Sequence, residues 1–297
     1  MSFVLTAISA PARPVITSDL VAKIQSLIKV DHTISWLMQD VAVDFIIPEH
    51  PDFANLQAEV KIALARTPVD LTLQPIDGRR KQLLLADMDS TMIQQECIDE
   101  LADEVGLKDS VSSITARAMR GEIDFEPALK ERVALLKGLD LSVVDKLFEN
   151  RITYTPGGKT LIQTMKANGA YCALVSGGFT HFTCRVRAEL GFDEDRANLL
   201  IEENGTLSGE VGMPILGKDA KRQRLHELAK ELNLDLNQSM AVGDGANDLA
   251  MIEDAGAGVA LHAKPAVAAQ ARFVIDHGDL TGLLFLQGYK AEEFVTN

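Results

Sequence analysis

The sequence predicts an α/β protein built on a doubly wound parallel sheet. A helical cap is inserted into it, and a small ferredoxin-like α+β domain precedes it. Three observations predict this. Apolar runs at 82–86, 170–175 and 239–242 each end in a cluster of Asp, Ser and Gly, the pattern of strands buried on both faces of a parallel sheet. Helical segments alternate with those runs. Residues 3–73 read in the order β-α-β-β-α-β, that of a ferredoxin-like unit. A length of 297 residues suits about two domains.

Taken in order, Phe3 to Ile8 is apolar and strand-like. Leu20, Val21, Ile24, Leu27 and Ile28 fall at helical spacing after the caps Thr17 or Ser18. Ile34 to Met38 and Val41 to Ile47 read as a hairpin. Leu56, Val60, Ala63 and Leu64 form a second helical stripe, and Val69, Leu71 and Leu73 alternate as a strand. ACT-type ligand sensors share this order. Pro75-Ile76-Asp77-Gly78-Arg79-Arg80 is a turn-rich basic joint, which divides the chain into 1–78 and 79–297.

Beyond the joint, helices at 160–167, 181–190 and 249–255 stop at Asn168-Gly169, Gly191 and Gly256, as glycine past a helix end should make them. Ala257 to Leu261 and Phe273 to Ile275 add two strands. The step from Asp87 to Ser176 far exceeds the roughly 30 residues of a simple βαβ unit. Its excess is helical in pattern and reads as a cap over about 94–154. A second insertion, 197–213, carries Asn204-Gly205, a strong hairpin signal.

Composition narrows the function. Net charge is −14, a poor match for nucleic acid or an anionic membrane. No run approaches the roughly 18 apolar residues of a membrane span, and no basic residue precedes Arg13, so a signal peptide is not expected. Cys97, Cys172 and Cys184 form no C-x-x-C pair, which points away from disulfides and zinc and toward a reducing cytoplasm. His181, His226, His262 and His277 show no metal-ligand spacing.

Ligands of open α/β sheets bind at the carboxyl ends of strands. Here those ends carry Asp87-Met88-Asp89-Ser90-Thr91, Ser176-Gly177-Gly178 and Gly243-Asp244-Gly245-Ala246-Asn247-Asp248. Each alone could be a turn; three on consecutive buried strands argue for a site. Asp87, Asp89 and Asp244 offer hard oxygen ligands for Mg²⁺. Ser176 and the Gly177 and Gly178 amides suit phosphate oxygens, with Lys218 or Lys221 as the cation. Together these are the parts of a phosphoryl-transfer centre.

D-x-D-S-T after an apolar strand, V-S-G-G-F, a lysine and G-D-G-A-N-D resemble the four motifs of the haloacid dehalogenase superfamily. With Glu96, Phe125-Glu126, Leu129 and Arg132-Val133, the likeness narrows to its phosphoserine phosphatase family, over about residues 80–288. The resemblance implies hydrolysis of O-phospho-L-serine to serine and phosphate, the last step of serine biosynthesis. It implies Asp87 as nucleophile and Asp89 as general acid and base. Mg²⁺ would be held by Asp87, the Asp89 main chain and Asp244. Ser176, Gly177 and a lysine would bind phosphate, with Lys221 fitting the family spacing better than Lys218. Asn247 and Asp248 would order substrate and lysine. Glu96 would take the substrate ammonium. Arg132, which has no acidic residue at 128 or 136, would take its carboxylate. Phe125 and Met119 would close over the site, and the family mechanism gives Cys97 no role. The implied partner is a small-molecule substrate, with a homodimer as the expected assembly. Dehalogenases lack the second motif aspartate, so Asp89 argues against that chemistry. A phosphatase of another small phosphomonoester, or an amino-acid-sensing protein, are the alternatives.

Overall fold

The computed structural model describes residues 2–50, 52–119 and 122–296, and leaves the side chains of Met119 and Lys218 outside the description. The first unit comprises β1 (Phe3–Ile8), α1 (Ser18–Ile28), β2 (Thr33–Met38), β3 (Ala42–Ile47), α2 (Phe53–Ala63) and β4 (Asp70–Pro75). Its antiparallel sheet runs β2-β3-β1-β4. The Thr17 hydroxyl caps α1 by accepting from Leu20 N, and Asp52 caps α2 by accepting from Asn55 N. One face of the sheet packs Leu5, Val43, Phe45 and Leu71 against Ile24, Ile28, Leu56 and Val60 of the two helices. The opposite face buries Thr6, Asp44, Thr72 and Gln74.

Those polar residues are buried because the second unit covers them. The joint is not loose either. The Arg79 guanidinium is 7% exposed and donates to Asp44 Oδ2 at 2.7 Å, Asp44 Oδ1 at 3.2 Å and the Thr6 hydroxyl at 3.2 Å. It also donates to the Leu286 and Phe285 carbonyls.

The second unit follows with β5 (Leu83–Ala86), α3 (Cys97–Glu104), α4 (Lys108–Met119), α5 (Phe125–Ala134), α6 (Ser142–Asn150), α7 (Gly158–Ala167), β6 (Tyr171–Phe179), α8 (Thr180–Leu190), β7 (Glu194–Asn198), β8 (Leu200–Glu203), β9 (Thr206–Val211), α9 (Lys218–Glu231), β10 (Ser239–Gly243), α10 (Leu249–Asp254), β11 (Ala257–Leu261), α11 (Pro265–Ala268), β12 (Phe273–Ile275) and α12 (Gly282–Leu286). The parallel sheet has the order β12-β11-β10-β5-β6-β7. The order reverses between β5 and β10, the switch point where such sheets bind ligands.

Helices α3 to α6 occupy the predicted insertion, and their Leu101, Leu129, Val133 and Leu147 join the same core as Leu84 and Leu174 of the sheet. The hairpin β8–β9 turns at Asn204 (φ 53°) and Gly205 (φ 83°), as Asn-Gly requires. It pairs with the insertion through Gly138 N to Leu207 O (2.8 Å) and Leu207 N to Leu139 O (2.9 Å). The sequence gives no sign of β7, because Glu194-Asp195-Arg196-Ala197-Asn198 is a polar strand on the sheet edge. Among the described residues no helix is long and apolar enough to cross a membrane.

Candidate active site

Asp87 leaves β5 at the switch point. Its amide donates to Val242 O of β10 at 3.0 Å, so the sheet ladder itself fixes the residue. Asp87 Oδ1 accepts from Met88 N and from Lys221 Nζ, both at 2.7 Å. Lys221 rises from the first turn of α9 and is 3% exposed; it also reaches Asp248 Oδ1 at 2.5 Å. Asp248, ahead of α10, uses Oδ2 to accept from Gly245 N at 3.0 Å. Carboxylate oxygens of Asp87, Asp244 and Asp248 lie within 4.8 Å of one another. A side chain at Gly243 would collide with Asp248, and one at Gly245 with Asn247, so the loop closes this tightly only as glycine.

This cluster is electrostatically demanding. Burial, then the Asp248 charge, push the Asp87 carboxyl well above the usual carboxylate range against the pull of Lys221. Burial, then Asp248 and Glu96, raise Asp244 to about 6. Burial, then Glu96, raise Asp89 to about 7. For Lys221, burial pulls the ammonium down, but Asp248 and Asp87 together outweigh it and hold it raised. One ammonium therefore serves several crowded carboxylates. Both oxygens of Asp248 are engaged, whereas no described residue hydrogen-bonds the Asp244 carboxylate. Hard oxygens with room for water suit Mg²⁺, so the donor set fits that ion.

The phosphate-cradle residues converge from β6. Ser176 is buried, and its Oγ accepts from Gly178 N at 2.8 Å. A Cβ at Gly178 would stand 2.8 Å from Asp89 Oδ2 and 3.1 Å from Ser176 Oγ, which puts Asp89 Oδ2 beside Ser176. Phe125 of α5 lies over Gly177 and Gly217. Sequence reasoning missed Asn198. Buried at the end of β7, it donates to Gly177 O (2.8 Å) and accepts from Leu216 N (2.7 Å), tying the cradle to the segment before α9. A buried Asn closing an unrecognised edge strand left no signal.

Glu96, ahead of α3, is exposed and accepts from the Ser90 hydroxyl at 2.8 Å. Its charge acts on Asp89, Asp244 and Arg132 alike. Arg132 of α5 donates Nε to Ala128 O (3.2 Å) and Nη1 to Thr115 Oγ1 (3.3 Å). Burial lowers its pKa, while Asp99 and Glu96 pull it back up. Asn247 shares the tight loop with Asp244 and Asp248. The lysine alternative Lys218 and the closing residue Met119 have side chains outside the described residues. His181, His226 and His262 pair with Glu202, Asp254 and Gly278 O. Cys97, given no role by the sequence, is buried and has its backbone N–H on Asp89 Oδ1 at 3.3 Å.

Residues 84–253 match the haloacid dehalogenase-like hydrolase family. The chain belongs to this family. It is 40% identical over 255 residues to a phosphoserine phosphatase of Archaeoglobus fulgidus, covering 85% of this chain and 74% of that protein. It is 46% identical over 210 residues to a phosphoserine phosphatase of a Polaromonas species, covering 69% and 89%. Among solved structures, a family hydrolase from Salmonella enterica serovar Typhi superposes with a TM-score of 0.86 at 29% identity, over 96% of this chain and 98% of that one. That match spans both units, so the pairing of the small antiparallel sheet with the family fold is shared.

Proposed function

We propose that this family member is a Mg²⁺-dependent phosphoserine phosphatase, hydrolysing O-phospho-L-serine to L-serine and phosphate in the last step of serine biosynthesis. The observation that carries the reading is Lys221 buried between Asp87 and Asp248, with Ser176 and Asp89 Oδ2 adjoining. The names of the relatives above and the charge pair Glu96 and Arg132 support the substrate. The phosphatase domain is residues 79–297, with 94–154 as its cap and 1–78 as a separate α+β domain.

Asp87 attacks phosphorus and becomes an aspartyl-phosphate, dividing hydrolysis into two easier steps. The P–O bond to serine breaks with its electron pair on the seryl oxygen. That alkoxide is a poor leaving group, so Asp89 gives it a proton. Asp89, now ionised, takes a proton from water as the water attacks the acyl-phosphate. Lys221, Ser176 and the Gly177 amide hold the phosphoryl oxygens, and Asn247 orders this loop. Asp87, the Asp89 carbonyl and Asp244 would hold Mg²⁺, which when bound would offset the phosphoryl charge. Glu96 takes the substrate ammonium and Arg132 its carboxylate as a two-pronged partner.

The test is Mg²⁺-dependent phosphate release over a panel of phosphomonoesters, repeated with Arg132→Ala. Phosphoserine should lead the panel. Loss of a buried ion's partner costs about 3–5 kcal/mol, so Arg132→Ala should lower kcat/KM for phosphoserine a few hundredfold. An aryl phosphate, lacking the carboxylate, should change little. An equal loss on both substrates would overturn the substrate assignment.

A further inference from the structure

We infer that Asn198 is a positioning residue: it holds the Gly177–Gly178 peptide so that the Ser176 hydroxyl aims its proton at a phosphoryl oxygen. The inference rests on the phosphatase reading above, in which Ser176 binds that oxygen. Strand β6 leaves regular pairing with β7 at this point. Val175 is opposite Arg196 and Phe179 is opposite Asn198, so Ser176, Gly177 and Gly178 bulge out against Ala197 alone. Asn198 is 1% exposed, and its side chain reaches the bulge. Its Nδ2 donates to Gly177 O at 2.8 Å, and its Oδ1 accepts from Leu216 N at 2.7 Å. The Leu216 bond fixes which end of the amide faces Gly177.

The hold passes through one peptide plane. Gly177 O and the Gly178 N–H lie on opposite sides of the same trans peptide. Asn198 holds the first, and the second donates to Ser176 Oγ at 2.8 Å. Turning the plane breaks both bonds. Close approach demands glycine here, because a Cβ at Gly178 would stand 2.8 Å from Asp89 Oδ2. Glycine on each side leaves the plane with little restraint of its own, so its orientation has to come from outside. The bond from Gly178 occupies one lone pair of Ser176 Oγ, which turns the hydroxyl proton away from Gly178. Among the described residues no acceptor takes that proton, so it is free for a phosphoryl oxygen. Hydrogen bonds in series also polarise one another. Asn198 itself touches no reacting atom and acts through the serine.

The experiment is a double-mutant cycle between Asn198 and Ser176, reading kcat/KM on phosphoserine and on p-nitrophenyl phosphate. Ser176→Ala should cost about 10²-fold on both, the scale of one lost donor to transition-state charge. Asn198→Leu, which keeps the volume and removes both bonds, should cost about tenfold on both, the upper end for one neutral hydrogen bond. In the Ser176→Ala background it should cost less than about twofold, because the hydroxyl it orients is gone. Exchange of the Gly178 amide hydrogen, followed by NMR in the free enzyme, should quicken about tenfold in Asn198→Leu. If the leucine variant fails to fold, Asn198→Ser, one bond shorter and unable to reach Gly177 O, takes its place. A residue that only packs would lower Tm yet cost the same in both backgrounds. Equal costs in the two backgrounds, unchanged Gly178 exchange, or a loss confined to phosphoserine would overturn the role of Asn198 alone. Activity of Ser176→Ala within about twofold of wild type would instead overturn the reading of Ser176 beneath it.

Discussion

Replacing Lys221 by methionine removes the single ammonium wedged between Asp87 and Asp248 while keeping most of the volume. Lys221 Nζ is 2.7 Å from Asp87 Oδ1 and 2.5 Å from Asp248 Oδ1, and all three side chains are at most 5% exposed. Water cannot screen what is left, so the change strands two facing carboxylates. Breaking a buried ionic partnership of this kind costs about 3–5 kcal/mol, a fall of roughly 5–10 °C in Tm for a chain of this size. The sign with pH follows. The lysine pKa is raised above its ordinary 10.5, so its contribution is intact throughout the neutral range of the wild type. In the variant the Asp87 carboxyl, already raised by burial and Asp248, loses its counter-charge. A group that binds its proton more tightly folded than unfolded stabilises the fold as pH falls. The deficit should therefore shrink between pH 8 and pH 5. On the proposed metal site Mg²⁺ would share Asp87 with the lysine, so adding it should raise Tm more in the variant than in the wild type. Phosphate release should fall by at least about 10²-fold, the scale for losing one preorganised donor to transition-state charge. Differential scanning calorimetry with and without Mg²⁺, beside phosphate release, checks both halves. Turnover within tenfold of wild type, or a Tm unchanged in metal-free buffer, would refute the reasoning.

Asp87→Asn, nearly isosteric, should abolish turnover without loss of fold, and beryllium fluoride should form its aspartyl-phosphate mimic on wild-type Asp87 in a crystal; an adduct on another residue would reassign the nucleophile. Chelation should remove activity and Mg²⁺ restore it, and Asp244→Asn should raise the Mg²⁺ concentration for half-maximal rate at least tenfold, since one anionic ligand is lost; full activity in metal-free buffer would refute the metal site. Arg79→Met should cost about 3–5 kcal/mol in denaturant unfolding by stranding buried Asp44, with Asp44→Asn recovering part of it, whereas a loss below about 1 kcal/mol would mean the pair is idle.

The catalytic sheet was legible in sequence because its strands are buried on both faces. Leu83 to Ala86, Met240 to Val242 and Ala257 to Leu261 are almost purely apolar, and each loop that follows is polar for a reason other than solvation. β7 escaped notice because an edge strand needs no apolar run, and with it went Asn198. Residues on one local motif, such as Asp87, Asp89, Asp244 and Asp248, announce themselves by spacing. Contacts across the chain do not: the Arg132–Thr115 bond joins two cap helices, and the Cys97 N–H meets Asp89 only because the chain turns back at the start of α3. Arg79 shows the same limit. Sequence marks 75–80 only as a turn-rich basic joint, and the guanidinium in it is buried against Asp44.

The burial of Arg79 bears on the first unit. A ferredoxin-like sheet covered by helices on one face normally leaves the other to water or to a partner. In this chain the second face mixes the polar Thr6, Asp44, Asp70, Thr72 and Gln74 with the apolar Ile8 and Ala42, and these residues are buried. Asp70 accepts N–H bonds from residues 276, 277 and 278, Gln74 donates to Leu286 O, and Arg79 donates to Leu286 O and Phe285 O. These contacts satisfy the backbone of the segment running from β12 into α12, which passes directly beneath β1 and β4. Each interaction is internal to the interface, so separating the units would exchange these hydrogen bonds for water at a net cost of about 1 kcal/mol each. The small sheet is thus bound to the last strand of the catalytic sheet by hydrogen bonds as specific as those within either unit. A detachable sensor would need a weaker seam than this one.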